Sequence, residues 1–300
     1  MRAGGIGRVH SSNHKGFQPG QLVQGLLGWQ TYCVIEAKGL TKIPDTPSIP
    51  SSAYLGVLGI TGLTAYFGLL DVGKPRSGET VLVSGAAGAV GSIVGQIAKI
   101  NGCRAVGLAG STVKCEWMVK ELGYDAAINY RDFTVLSRQG SKSPPFKSLQ
   151  AATSSACPSG VDVFFDNVGG DILDIALALI RPRGRLVICG AISQYNVPTG
   201  TGGKTQGPSN YLQLLVQRAS MAGFVVFDYA KRYGEGIQKM GQWIQEGKLK
   251  FNEDIVQGLD SAPRALGKLF DGSNDGKLLV SVSDDSSFTT SKTFKTRAKL

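Results

Sequence analysis

Histidine is nearly absent, with only His10 and His14, and the five cysteines (Cys33, Cys103, Cys115, Cys157, Cys189) never fall into C-x-x-C spacing. A catalytic zinc draws on a Cys/His set and a structural zinc lobe on four closely spaced thiolates, so neither metal centre is indicated. The two histidines read as solvated loop residues. An odd, scattered cysteine count argues against a disulfide framework and suits a reducing compartment. No Ser/His/Asp or Cys/His constellation is evident, and Cys189, on an apolar strand, reads as core rather than nucleophile. No apolar run reaches the length of a membrane span, and no signal-peptide pattern opens the chain. No acid precedes Glu36, which leaves a transit-peptide reading beside the plain one.

Acidic residues are scarce in two places. The stretch 133–150 carries Arg138, Lys142 and Lys147, and the stretch 286–300 carries Lys292, Lys295, Arg297 and Lys299, both without an acid. Together they supply seven of the ten positive charges in excess, and the remainder is nearly balanced. A basic groove with interleaved aromatics is therefore not indicated, and nucleic acid is not the expected partner. Three hundred residues, 42% hydrophobic and 18% charged, make a globular chain of one large or two ordinary domains.

What is abundant is glycine, and its spacing matters most between Glu79 and Lys99. The β-branched run Val81–Leu82–Val83 leads into glycines at every third position, Gly85, Gly88 and Gly91. Ile93, Val94, Ile97 and Ile100 then fall on one face of a helical period. Glycines at a strand-to-helix turn let a dinucleotide's pyrophosphate approach the backbone N–H groups that open the helix. Glycines also serve ordinary turns, and the flanking strand and helix make the binding reading the stronger one. An NAD-preferring site would carry an acid about 20 residues on. Here that region is Leu108-Ala109-Gly110-Ser111, with Lys114 next and no acid until Glu116. A cation beside the ribose favours a 2′-phosphate, which points to NADP(H).

Along the chain, Gly4–Val9, Gln21–Val23 and Trp29–Val34 are predicted strands, with a turn at Phe17-Gln18-Pro19-Gly20. Ile43–Ser52, with three prolines, reads as a linker. Leu55–Leu70 has helical spacing. Alternation then predicts strands at Cys103–Leu108, Ala126–Asn129, Val161–Phe165, Arg185–Cys189 and Gly223–Phe227. Helices are expected at Val113–Leu122, from Gly170 through Ile180, at Tyr211–Ala219, and around Ile237, Met240 and Ile244. Such alternation implies right-handed βαβ units and a parallel sheet. Ser141–Gly160 reads as a surface insertion with some helix, and Ser286–Leu300 as a disordered tail.

The string from Leu55 to Gly107 resembles the medium-chain dehydrogenase/reductase superfamily, in its zinc-independent prostaglandin reductase and curcumin reductase branch of NADPH-dependent alkenal double-bond reductases. FFDNVGG (164–170), RLVICGAISQYN (185–196), GFVVFDYA (223–230) and GSNDGKLLV (272–280) extend the likeness. The resemblance implies an α/β chain with a doubly wound Rossmann sheet at 58–247. It also implies a GroES-like substrate domain from 1–57 and 248–283, with 284–300 as the tail. MRAGGIGRV is similar to an internal strand of that substrate domain, which implies that its opening strands are missing here and puts activity in question.

The resemblance also assigns sites. Ala86, Ala87, Gly88 and Ala89, with Gly91, would hold the pyrophosphate, and Lys114 and Tyr130 the 2′-phosphate. Asn167 and the segment Cys189, Gly190, Ala191, Ile192, Ser193 and Tyr195 would face the nicotinamide half. Phe224, Val225 and Val226 would line its ring, and Asn274 would reach the cofactor from the other domain. Solvated, capping and packing roles are the plain alternatives for Lys114, Asn167 and Tyr195. The implied reaction is reduction of the C=C bond of an α,β-unsaturated ketone or aldehyde, with Tyr195 stabilising the enolate oxygen beside the cofactor ribose. Quinone reduction and an inactive NADPH-binding fragment are the rivals. A homodimer is implied. The compartment expected is the cytoplasm, or the peroxisome if the terminal Ala298-Lys299-Leu300 acts as an address.

Overall fold

The computed structural model describes residues 3–44, 49–133, 145–195 and 207–283. They divide into two units, one formed by the chain up to Thr61 together with the stretch from Phe251, the other by Gly62–Lys250. The basic tail, its last three residues, and Arg138 and Lys142 lie outside the described residues.

In the first unit, β1 (Gly5–Arg8), β2 (Leu22–Gly25) and β3 (Leu40–Lys42) form an antiparallel meander in chain order. The turn at Phe17–Gly20 closes the first hairpin: Gly20, at φ 86°, donates its N–H to the Val9 carbonyl. The strand expected at Trp29–Val34 does not form. Its Tyr32 and Val34 side chains stand exposed with nothing to cover one face, and the third strand comes later, after a 3-10 turn at Ala37–Gly39. Of Ile43–Ser52, read as a linker, residues 45–48 lie outside the described residues, and the two ends are packed. Ile43 and Ile49 are buried, and Pro50 opens a 3-10 helix, Ser51–Leu55.

Leu55–Leu70 is not one helix. After the 3-10 turn comes α1 (Ile60–Phe67), and then a π-helical turn, Gly68–Gly73, that ends at Lys74 with φ 46°.

The second unit is built on six parallel strands: β4 (Thr80–Val83), β5 (Arg104–Ala109), β6 (Ala126–Asn129), β7 (Val161–Asp166), β8 (Ile180–Ile188) and β9 (Ser220–Gly223). Their spatial order is β6-β5-β4-β7-β8-β9, with every neighbouring pair parallel. The chain starts in the middle, runs to one edge, and returns to build the other half. This is the doubly wound Rossmann order, and its switch point lies between β4 and β7. β4 and β7 are buried along their whole length, which explains their near-continuous apolar sequence.

The crossovers are α2 (Gly91–Ile100), α3 (Thr112–Leu122), α4 (Pro145–Ala156), α5 (Asp171–Leu179) and α6 (Gln213–Gln217). Ser111 caps α3 by accepting the Lys114 N–H, and Gly123 ends it at φ 73°. Of Ser141–Gly160, read as a surface insertion with some helix, residues 141–144 lie outside the described residues and the rest is a crossover: Leu149 and Cys157 join the core with Val161, Phe164 and Ile175. α6 is shorter than the expected Tyr211–Ala219, because Arg218 turns left-handed at φ 50°. The strand expected at Gly223–Phe227 sits earlier, at Ser220–Gly223. Its partner β8 runs out at Ile188, which pairs with Gly223, and Val226–Arg232 winds into a 3-10 helix instead. α7 (Tyr233–Gln245) follows and stops before Gly247 at φ 69°. Returning to the first unit, β10 (Glu253–Gln257) and β11 (Lys277–Ser281) form a parallel pair joined by α8 (Ala262–Asp271).

Candidate functional site

The loop from Ser84 to Val90 connects the central strand β4 to α2 at the carboxyl end of the sheet. Gly85 takes φ 56°, a region closed to most side chains. A Cβ on Gly91 would lie 2.5 Å from the Gly85 carbonyl oxygen, so the chain folds back on itself only because the side chain is missing. Ala86 N–H donates to Leu108, and Gly88 N–H to Gly85. Ala86, Ala87 and Gly91 are buried while Gly88 and Ala89 are half-buried, leaving the tip open to a ligand. The Gly91 carbonyl accepts the buried Tyr124 hydroxyl at 2.7 Å, fixing the first turn of α2. Such a cradle fits a pyrophosphate.

Beside it, the end of β7 carries Asp166, 1% exposed. Its Oδ1 accepts three hydrogen bonds, from the Ser84 hydroxyl at 2.7 Å and from the N–H groups of Val168 and Gly169 at 3.0 Å each. Its backbone carbonyl accepts the N–H groups of Cys189 and Gly190, which follow β8. Asp166 Oδ2 is buried without a partner among the described residues. Burial pushes the carboxyl pKa up, against the opposing pull of the Gly169, Ser84 and Val168 hydrogen bonds. Asn167 closes the knot: its N–H donates to Ser84 Oγ and its Nδ2 to the Ser84 carbonyl, each at 2.7 Å. The turns after β4, β7 and β8 thus meet at one residue, Asp166, the first two through its carboxylate and the third through its backbone carbonyl.

The segment after β8 is pinned to the same loop. Ile192 N–H donates to Asn167 O, and the Ser193 N–H and hydroxyl both donate to Val168 O. Tyr195 folds back so that its hydroxyl oxygen accepts the Ala191 N–H at 3.2 Å, and its side chain is 64% exposed. A Cβ on Gly190 would come within 2.9 Å of that oxygen. The phenol therefore lies along the loop with its proton left to donate outward.

Phe224 is half-buried beyond the end of β9, with its ring edge-on to Phe165 at 6.4 Å and to Tyr229 at 6.4 Å. A Cβ on Gly68, in the π-helical turn, would be 2.4 Å from Phe224, so the ring sits in the space that glycine leaves. Val226 is buried and Val225 exposed.

At the far end of the sheet, Lys114 is in the first turn of α3 and Tyr130 follows β6; the Tyr130 hydroxyl lies over Gly110. The structure thus gathers the loops after β4, β7 and β8 into one knot, with Lys114 and Tyr130 beside β5 and β6. Asn274 belongs to the first unit, where its Nδ2 donates to Gly276 O at 2.9 Å.

Residues 89–243 match the family described as zinc-binding dehydrogenase, and residues 1–43 the one described as N-terminal domain of oxidoreductase. The chain belongs to the zinc-binding dehydrogenase family. It is 45% identical to a Bacillus subtilis protein named as an NADP-dependent oxidoreductase, across 93% of this chain and 77% of that one. It is 38% identical to the NADPH-dependent curcumin reductase of Escherichia coli, across 95% and 79% of the two chains. With the NADP(+)-dependent 2-alkenal reductase of Nicotiana tabacum the identity is 41%, across 93% and 76%. The crystal structure of CurA from Vibrio vulnificus in complex with NADPH matches with a TM-score of 0.80 at 38% identity, covering 94% of this chain and 80% of that one. The branch of the family read from the sequence blocks holds.

The family's name implies zinc, but the residues do not fit it. Among the described residues no group of three or more His, Cys, Asp or Glu side chains is placed to hold a metal ion. Cys103, Cys115 and Cys157 are buried free thiols, each pushed up to about 11 by burial, and burial together with the Asp166 charge takes Cys189 to about 12. Such thiols stay protonated, and Cys103, Cys115 and Cys157 serve as core. The sequence reading missed Ser84 and Asp166, the centre of the knot. The signal available was a polar residue at the end of each of two strands otherwise buried throughout.

Proposed function

We propose that this protein is an NADPH-dependent reductase of the C=C bond of α,β-unsaturated ketones and aldehydes. The observation that carries the reading is the knot at Asp166, which presents the glycine cradle, Asn167 and Tyr195 on one side of the switch point. The names of the curcumin and 2-alkenal reductases, which share 38% and 41% of their aligned residues with this chain, support the substrate class. Ala86, Ala87, Gly88, Ala89 and Gly91 hold the pyrophosphate, and Lys114 and Tyr130 take the 2′-phosphate. Asn167, the segment 189–195 and Phe224–Val226 surround the nicotinamide, and Asn274 contacts the cofactor from residues 248–283. Those residues and 1–57 form the substrate domain, and 58–247 the cofactor domain.

When bound, NADPH supplies the hydride that reaches the substrate β-carbon and leaves negative charge on the carbonyl oxygen. Tyr195 donates its hydroxyl proton toward that oxygen and stabilises the charge where it develops. The Ala191 N–H, by donating to Tyr195 Oη, orients the hydroxyl and makes it a better donor. Phe224 keeps water from one side of the reacting face, held by Phe165 and Tyr229.

The protein acts as a homodimer in the cytoplasm. β9 supports the dimer, being an edge strand exposed along its whole length and flanked by exposed Leu215, Val216, Val225 and Phe227. Five free thiols suit a reducing compartment.

The test is NADPH oxidation against a panel of enones, alkenals and quinones. Turnover of enones and alkenals is the expected result. Turnover of quinones alone would replace the substrate class, and NADPH binding without turnover of any acceptor would make the chain a cofactor-binding protein.

A further inference from the structure

At the end of β5 the chain reaches Gly110, the place where an NAD-preferring sheet carries its ribose-binding acid. The register pairs Ala109 with Asn129, so the residues after β6 stand beside those after β5. A Cβ on Gly110 would lie 2.9 Å from Tyr130 Oη and 3.2 Å from Arg131 Nε. Two side chains therefore converge over one glycine, and one of them is a guanidinium.

Asn129 fixes the turn that delivers them. Its Oδ1 accepts the Arg131 N–H at 3.2 Å, and its Nδ2 donates to Asp132 Oδ1 at 2.6 Å and to Thr112 Oγ1 at 3.3 Å. Ser111 caps α3 beside Gly110 and Lys114 sits in its first turn, so the turns after β5 and β6 each bring a cationic residue to this end of the sheet.

We propose that Arg131 is a specificity-determining residue for the cofactor, its guanidinium binding the 2′-phosphate above Gly110 together with Tyr130 and Lys114. This rests on the NADPH reading above and adds to it the residue that supplies the planar, two-pronged donor. A guanidinium matches two phosphate oxygens at once, whereas a lysine offers a point charge. Gly110 serves the same end: any side chain there would push both tips away, and a carboxylate would repel the phosphate.

The test is calorimetric titration of the full chain with NADP+ and NAD+, and with 2′,5′-ADP and 5′-ADP as fragments without a nicotinamide. Arg131→Gln is expected to weaken NADP+ and 2′,5′-ADP about 10-fold or more, the loss of a charged hydrogen bond, with NAD+ and 5′-ADP within about twofold. Arg131→Lys should recover part of that loss, and Gly110→Asp should reverse the preference toward NAD+. Melting temperatures near that of the parent chain confirm that each variant is folded. If Arg131→Gln leaves the NADP+/NAD+ affinity ratio unchanged, or lowers both affinities equally, the role of Arg131 is overturned and the NADPH reading stands. If the parent chain itself binds NAD+ as tightly as NADP+, both are overturned.

Discussion

The Ser84 hydroxyl donates to Asp166 Oδ1 at 2.7 Å while its oxygen accepts the Asn167 N–H at 2.7 Å. Ser84→Ala would leave that N–H and one carboxylate lone pair buried without partners. The expected cost is about 1–3 kcal/mol of stability, read as a lower denaturant midpoint. NADPH affinity should fall with it, since Asn167 and the cradle lose their common tie.

Tyr195→Phe keeps the ring and removes the donor. On the proposed mechanism, in which the cofactor ribose shares the charge, the maximal rate of enone reduction should fall at least about tenfold, short of the 10²–10³ of a sole oxyanion donor. NADPH affinity from fluorescence titration should stay within about twofold. An unchanged rate would remove Tyr195 from the chemistry.

Gly68→Ala tests the placement of Phe224. The new Cβ would stand 2.4 Å from the Phe224 ring and 2.9 Å from Phe165, and Phe165 is fully buried and cannot yield. Phe224 must swing away, at about 1–3 kcal/mol. kcat/KM for enones should fall further than the melting temperature alone explains.

Arg185 is the clamp under the π-helical turn. Its Nη1 donates to Glu79 at 3.0 Å, and its Nε and Nη2 to the carbonyls of Gly73 and Lys74 at 2.9 Å each. Burial alone would raise the Glu79 carboxyl, but the hydrogen bonds from Arg185 and from the Arg76 N–H outweigh it and hold the pKa below 4.5. The unfolded chain therefore keeps its proton to higher pH, and this stability is present above pH 4.5 and lost as pH falls through the lower folded value. Arg185→Met should cost about 2 kcal/mol at neutral pH, less than a fully buried pair because the side chains are partly solvated, and should flatten the acid limb of the stability curve.

Asp166 titrates with the opposite sign. Its folded pKa lies above the ordinary 3.8, so the native chain keeps a proton that the unfolded chain has released. Stability should fall as pH rises through the window that starts at 3.8, and Asp166→Asn should abolish that slope. Urea melts between pH 3 and 7 would show it.

The sheet was legible because β4, β5 and β7 are apolar runs buried on both faces, and glycine marks the turn into α2. The crossover helix α4 was not, since its sequence is polar. Thr153 is nonetheless fully buried, its hydroxyl donating to the Leu149 carbonyl at 2.8 Å, a local bond that spacing does not reveal. The apolar run Gly223–Phe227 looked like a strand because nothing local says that its ladder partner ends at Ile188. Ser84 and Asp166 were hidden for a related reason: hydrophobic periodicity counts polar residues as exposed, and these two are satisfied mostly by each other and by backbone.

Three turns from three separate crossovers are tied to one residue, through the carboxylate and the backbone carbonyl of Asp166, so this rim is a single mechanical part. A loop transplanted after β8 from a relative would arrive without its matching anchor, and its misfit would be felt at the glycine cradle two strands away. Grafts that carry the turns after β4, β7 and β8 together should keep the rim in shape, whereas single-loop swaps should loosen it.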